Sequence, residues 1–241
     1  MKTSRNLFLV TTLLIASGIL FAVSPIDTSN VHDDEIAVKA NRTLQRSAMA
    51  LDNVMKDPEN SIPPSLISQS EGIVIFPNAF KLALGAAGGQ GGRGVALVRQ
   101  EDGSWSNPLF VTLGEGSIGL QIGAQRSDIV LLFKDRNDIF AIDEAGIILG
   151  TVIGVAAGPE SKELSAATDI NFESEIYSYQ YSKGLFAGIS LNGGILSNSQ
   201  GYNESFYWLD DASTYYIFNG IEAPYNDEVY DLIEALTMYD E

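Results

Sequence analysis

Two stretches have the spacing of a phosphate cradle: Gly89-Gln90-Gly91-Gly92-Arg93-Gly94 and Gly114-Glu115-Gly116-Ser117-Ile118-Gly119 both read G-x-G-x-x-G. The motif holds a pyrophosphate when a strand precedes it and a helix comes after it, so that helix N–H groups meet the anion. Each copy here runs on into another apolar, strand-like segment, and Glu115 would repel a phosphate, so the spacing reads as glycine-rich sheet. Three acidic pairs, Asp143-Glu144, Asp210-Asp211 and Asp227-Glu228, are the other groups able to do chemistry. Carboxylates catalyse when buried at a defined separation. Adjacent acids at turns and helix starts are ordinarily solvated, so these pairs single out no reaction. His32 is the one histidine and there is no cysteine. A Ser-His triad in the folded domain, thiol catalysis, disulfides and cysteine-ligated zinc are thereby excluded. No D-x-[DN]-x-[DN]-G calcium loop occurs. The expectation is a non-enzymatic protein with no metal and no cofactor. Asn41-Arg42-Thr43 and Asn203-Glu204-Ser205 fit the N-glycosylation pattern, which is short enough to arise by chance.

Binding chemistry rests on a small set of cations. Lys and Arg total 14 against 31 Asp and Glu, and no basic residue occurs after Lys183. Nucleic acid is therefore excluded as a partner, since phosphate backbones require clustered cations. For an anionic headgroup the candidates are Lys81, Arg93 and Arg99 in strand-like segments, with Lys39, Arg42 and Arg46 on one face of an N-terminal helix. The competing reading of all six is ordinary solvated charge. Trp105, Phe110, Phe186, Tyr177, Tyr179 and Tyr181 form either a platform for acyl chains or sugars, or core and cross-strand pairs.

Periodicity supplies the elements that must hold these residues. Over residues 35–56, Ile36, Ala40, Leu44, Ala48, Leu51 and Met55 recur at three and four, one face of an amphipathic helix. That stripe packs on its own domain or, with the basic face, lies on an anionic membrane. Asp57 and Pro58 end the helix, and Ile62-Pro63-Pro64 begins a short second one. Residues 72–207 read mostly as short strands punctuated by glycine, which predicts a curved antiparallel β-sheet or small barrel-like β core. A helix is predicted over 137–144, ended by Gly146. Another closes the chain, capped by Asn226, with Val229, Leu232, Ile233 and Leu236 inward. The fold class is α+β, with helices flanking the sheet at both ends.

Lys2 and Arg5 precede the uncharged apolar residues 7–23, the order of a secretory leader. Ala22-Val23-Ser24 offers a cleavage site but Pro25 comes next, so an uncleaved anchor through residues 7–23 is the alternative. The organisation read is 1–24 signal peptide or anchor, 25–34 linker, 35–224 folded domain and 225–241 acidic C-terminal helix. The domain is expected to be exported, periplasmic or extracellular.

Several ordered segments together resemble the SYLF domain family. They are Gly72-Ile73-Val74-Ile75-Phe76-Pro77, Lys81, the glycine run to Arg93-Gly94, Gly103-Ser104-Trp105-Ser106 with Pro108 and Phe110, Gly116-Ser117, Gly119, Gln121-Ile122-Gly123, Asp128-Ile129-Val130, Ala157-Gly158-Pro159, and Tyr179 with residues 182–188, Ser190 and Leu191. The resemblance implies a mixed α and β domain without catalytic chemistry, binding phosphoinositides or other anionic lipids in eukaryotic members and actin in yeast ones. Its bacterial members are exported. This chain departs from the family at Gln90 and in Ser68-Gln69-Ser70-Glu71, where a cation is common, and at Glu160. The resulting expectation is a lipid-binding module of the cell envelope that meets an anionic lipid or membrane surface. The alternative is a structural or protein-interaction module with an acidic C-terminal surface, meeting an envelope protein. Actin is set aside as a partner for an exported domain.

Overall fold

The computed structural model describes residues 28–57, 61–151, 153–158, 174–183, 191–220 and 226–240. Helix α1 (Thr28–Met55) begins inside the stretch read as linker, and α2 (Pro64–Gln69) starts at the prolines, as the sequence predicts. In α1, Ala40, Leu44, Ser47, Leu51 and Val54 are buried, and the helix packs on the sheet. The apolar stripe is thus largely consumed inside the domain, and α1 leaves outward a mixed face of Lys39, Arg42 and Arg46 with Val38 and Met49.

The segments read as short strands are pieces of two very long ones, β1 (Gly72–Val98) and β2 (Leu109–Phe133), paired antiparallel along nearly their whole length. A strand of 27 residues would extend about 90 Å if straight. A 200-residue domain has a radius of gyration of only about 16 Å, so the hairpin must curl. Two irregularities in register, between Phe76 and Ala79 and between Gly85 and Ala87, help it bend. At the first, Asn78 is left-handed at φ 52°. Its N–H donates to Asp128 Oδ1 (2.8 Å), while Asn53 of α1 donates to the other oxygen (2.9 Å). One carboxylate thereby ties the bulge to the helix. Glycines allow the curled strand to meet itself: a Cβ at Gly94 would run into the Ile75 carbonyl, and one at Gly92 would sit 3.2 Å from Ala79 Cβ.

The other edge of β2 is divided. Its first part pairs with β6 (Ile195–Asn198) and its last with β5 (Ile176–Lys183), both antiparallel. The outer strands are β3 (Ile147–Ile148), antiparallel to β6, and β4 (Val155–Ala157), which runs parallel to β5 and so departs from the all-antiparallel expectation. The architecture is α+β, a curled sheet flanked by N- and C-terminal helices.

Helix α3 (Arg136–Phe140) is shorter than its predicted span of 137–144, with Asp135 as its cap. Two helices, α4 (Gln200–Tyr207) and α5 (Thr214–Asn219), occupy the end of the region read as strands and the stretch just beyond it. Asn203 of α4 explains why a helix belongs there. Fully buried, it accepts from Phe110 N–H (2.8 Å) and donates to Phe110 O (2.9 Å), standing in for a β partner on β2. Burial also removes Asn203 as a glycosylation acceptor. The last helix, α6 (Asp227–Tyr239), has Asn226 as its cap, accepting from Val229 N–H. Asn226 bonds Asn41 (3.0 Å) and Tyr239 bonds Asp52 (2.7 Å), so α6 lies along α1 in the same direction.

Candidate functional site

Where α1 passes the curled hairpin, a groove of about 730 Å³ opens between them. Its helix wall is Gln45, Arg46, Met49 and Asn53, and its sheet wall comes from residues 78–82 and 124–128 with Tyr181. Register builds the sheet wall: Phe80 pairs with Arg126, Lys81 with Gln125 and Leu82 with Ala124. Phe80 and Leu82 share one face by strand alternation. Exposure is unusual here, since Met49, Phe80 and Leu82 are 61%, 53% and 45% exposed in the folded domain. Arg46 and Arg126, the latter paired with Phe80 and so on its face, line the groove on this apolar side, while Lys81, between Phe80 and Leu82, lines it from the opposite strand face. A polar band lines the far side, where Gln125 donates to Ser127 and Ser182 (3.1 and 2.9 Å). An apolar floor with a cationic rim suits a molecule that is apolar at one end and anionic at the other.

The six sequence candidates separate. Arg46 and Lys81 both line the groove, one from the helix wall and one from the sheet wall, and exposed Arg42 lies one helical turn before Arg46. Lys39 pairs with Glu35 (2.6 Å). Arg93 stacks 3.7 Å over the Tyr202 ring and donates to the Tyr202 hydroxyl at 2.6 Å. Arg99 is a structural group. Its guanidinium donates to the carbonyls of Ser70, Gly103 and Ile67 and to both oxygens of Asp240. Those five bonds use all five of its N–H donors, and it lies 4.4 Å over the Trp105 ring. A headgroup would find no donor left on it.

Sequence reasoning missed Arg126, Met49, Phe80 and Leu82. Their meeting depends on long-range register and on how α1 crosses the hairpin, which no local pattern encodes. The aromatic residues read as a platform divide likewise: Trp105, Phe110, Tyr177 and Tyr179 are buried and Tyr181 is partly buried. Phe186, Glu160 and the residues 1–27 that include the leader lie outside the described residues. No helix among the described residues is long and apolar enough to cross a membrane.

The glycine motifs lie opposite one another inside the hairpin, Gly89 facing Gly116 and Gly91 facing Gly114. Between them Gln90 donates to the Glu115 carboxylate. Burial pushes the Glu115 carboxyl up, against the opposing pull of Lys81 and the Gln90 bond. This strand geometry offers a phosphate no helix N-terminus. Among the described residues, no group of three or more metal-ligating side chains is placed to hold an ion.

Comparison with known proteins gives a consistent set of likenesses. The Ysc84 family model, described as "Las17-binding protein actin regulator", matches residues 114–239. The SH3 domain-containing YSC84-like protein 1 of Xenopus laevis is 32% identical over 183 residues, which is 75% of this chain and 54% of that protein. The SH3 domain-containing protein PJ696.02 of Schizosaccharomyces pombe is 33% identical over 149 residues, 61% of this chain and 34% of that protein. Protein YSC84 of Saccharomyces cerevisiae is 28% identical over 200 residues, 82% of this chain and 41% of that protein. The chain spans about half the length, or less, of these relatives. They overturn the expectation of an exported, periplasmic or extracellular domain: the similar proteins are eukaryotic, of animals and yeasts, those of Xenopus laevis and Schizosaccharomyces pombe are named SH3 domain-containing, and the matched family is one of actin regulators. With export goes the reason for setting actin aside.

Proposed function

The chain belongs to the Ysc84 (SYLF) family, and from that premise we propose that it is a non-enzymatic binding domain that meets anionic lipid through the groove between α1 and the β1–β2 hairpin. The observation carrying this reading is that Arg46, Lys81 and Arg126 line the same groove as exposed Met49, Phe80 and Leu82. Cations near an anionic leaflet contribute about 1 kcal/mol each, and burying the apolar trio against acyl chains adds area-proportional attraction. The groove is formed by packed elements of the domain, so little ordering opposes binding.

Flotation of the full chain with liposomes of neutral lipid, and of neutral lipid with phosphatidylserine, tests the proposal. Arg46→Ala/Lys81→Ala/Arg126→Ala removes about 3 kcal/mol, a loss of roughly a hundredfold in affinity for the anionic liposomes. Arg136→Ala, a cation over the Phe140 ring and away from the groove, leaves binding unchanged. Equal flotation with both liposome types, or equal effects of the two variants, would reject the groove as a lipid site.

A second reading comes from the family description, which is of a Las17-binding actin regulator. On this reading the domain serves actin regulation through a protein partner of the Las17 type. Co-sedimentation with filamentous actin, with and without such a partner, separates it from lipid binding.

A further inference from the structure

Apart from the hairpin groove, a smaller cleft of about 290 Å³ is lined by Asp143, Glu144, Asp211, Ser213, Thr214 and Tyr215, with Asn198 and Gln200. The three carboxylates are exposed, and none forms an ion pair among the described residues. The Asp143 carboxylate accepts one hydrogen bond, from Gly146 N–H at 2.9 Å. No lysine or arginine occurs after Lys183, so α4 and α5 bring no counter-charge to this wall, and α3 brings Arg136, which lies over Phe140.

Beside the acids stands a row of rings. Phe140 packs edge-on against buried Phe218 at 5.2 Å, Tyr215 lies 6.4 Å from Phe140, and Tyr216 lies 6.2 Å from Tyr215. Tyr215 and Tyr216 are 66% and 59% exposed, although Phe218 anchors the row in the core. At its inner end the guanidinium of Arg136 rests 5.4 Å over Phe140. The row thus already accommodates one arginine of the chain itself, while its outer tyrosines are open beside three unpaired carboxylates.

We propose that this face binds a basic peptide segment of a partner protein, an arginine stacking on Tyr215 with its guanidinium turned toward the acidic cleft wall that carries Asp143, Glu144 and Asp211. Charge complementarity selects the occupant: carboxylates repel phosphate and lipid headgroups, and tyrosine faces attract cations. Arginine is favoured over lysine because its planar group can stack and bridge carboxylates at once. The surface is separate from the groove and stands whether or not the groove binds lipid.

The test is fluorescence anisotropy of labelled octapeptides of alternating arginine and alanine, lysine and alanine, or glutamate and alanine, titrated with the full chain near physiological salt. The arginine peptide binds more tightly than the lysine peptide, and the glutamate peptide does not bind. Asp143→Asn/Glu144→Gln/Asp211→Asn weakens the arginine peptide about tenfold or more. Tyr215→Ala weakens it several-fold, and Tyr215→Phe restores it. The same charge change on α6, Asp227→Asn/Asp231→Asn/Glu234→Gln, costs at most about threefold. Equal losses from the two triple variants would assign binding to bulk negative charge and overturn the proposal, as would an arginine peptide binding no better than the glutamate one. Amide shift mapping on the unmutated chain provides a measurement independent of variant folding. Peptide-induced shifts centred on residues 143–144 and 211–216 support the site, and shifts elsewhere sink it.

Discussion

Arg99 shows how a residue type can point to the wrong role. In the sequence it is a cation at a strand end, as suitable for a headgroup as Lys81. In the fold its partner is Asp240, near the other end of the chain, with a bidentate pair at 2.7 and 3.0 Å and side chains only 14% and 18% exposed. Removing one member of a largely buried pair leaves the other uncompensated, so Arg99→Met is expected to cost about 3 kcal/mol in urea denaturation. Arg99→Lys recovers part of this at most, since an ammonium cannot reproduce the fork that reaches three carbonyls and a carboxylate. Were Arg99 a headgroup ligand, Arg99→Met would leave stability within about 0.5 kcal/mol and lower liposome binding instead. Lys81 and Arg46 contrast with it: they carry the same sequence signal, but the fold leaves them lining the groove that also holds the exposed apolar side chains.

Elements were legible where the signal was local. The α1 stripe, the prolines of α2 and the Asn226 cap of α6 all lie in sequence spacing and all appear. Helix α4 escaped because Gln200-Gly201-Tyr202 with Phe206 and Tyr207 has strand-like composition; its usable clue was the three- and four-residue spacing of Asn203, Phe206 and Tyr207. The continuity of β1 was hidden because its glycines resemble turns, whereas Gly92 and Gly94 instead let one strand approach itself. Helix α6 carries a prediction of its own. Burial, with the Asp52 hydrogen bond adding, pushes the Tyr239 phenol from 10.0 up to about 12. A raised folded-state value means the tyrosine's contribution is fully present below pH 10 and lost as pH climbs through 12. Tyr239→Phe therefore costs about 1 kcal/mol at neutral pH through the lost hydrogen bond, and this deficit shrinks between pH 10 and 12. Urea midpoints of the two proteins across that range measure it, and a constant gap would show that the phenol is not coupled to α6 docking.

At the scale of the whole molecule, a net charge of −17 opposes the approach to an anionic surface, while the groove's three cations favour contact with it. The two effects act over different distances. Repulsion from the whole chain is long-ranged and extends about 30 Å at 0.01 M salt but only about 10 Å at 0.1 M. Contact between Arg46, Lys81 or Arg126 and a headgroup acts at a few ångström and resists screening until salt is much higher. Binding to phosphatidylserine liposomes should accordingly rise as salt goes from about 0.01 to 0.1 M, then fall toward 1 M as the contacts themselves are screened. A protein attracted by its overall charge shows only the fall. The groove triple variant should lose the maximum and stay weak throughout, because repulsion remains and the local attraction is gone. A monotonic fall in the wild-type chain would mean that another basic surface dominates, and the groove would lose its claim to the lipid.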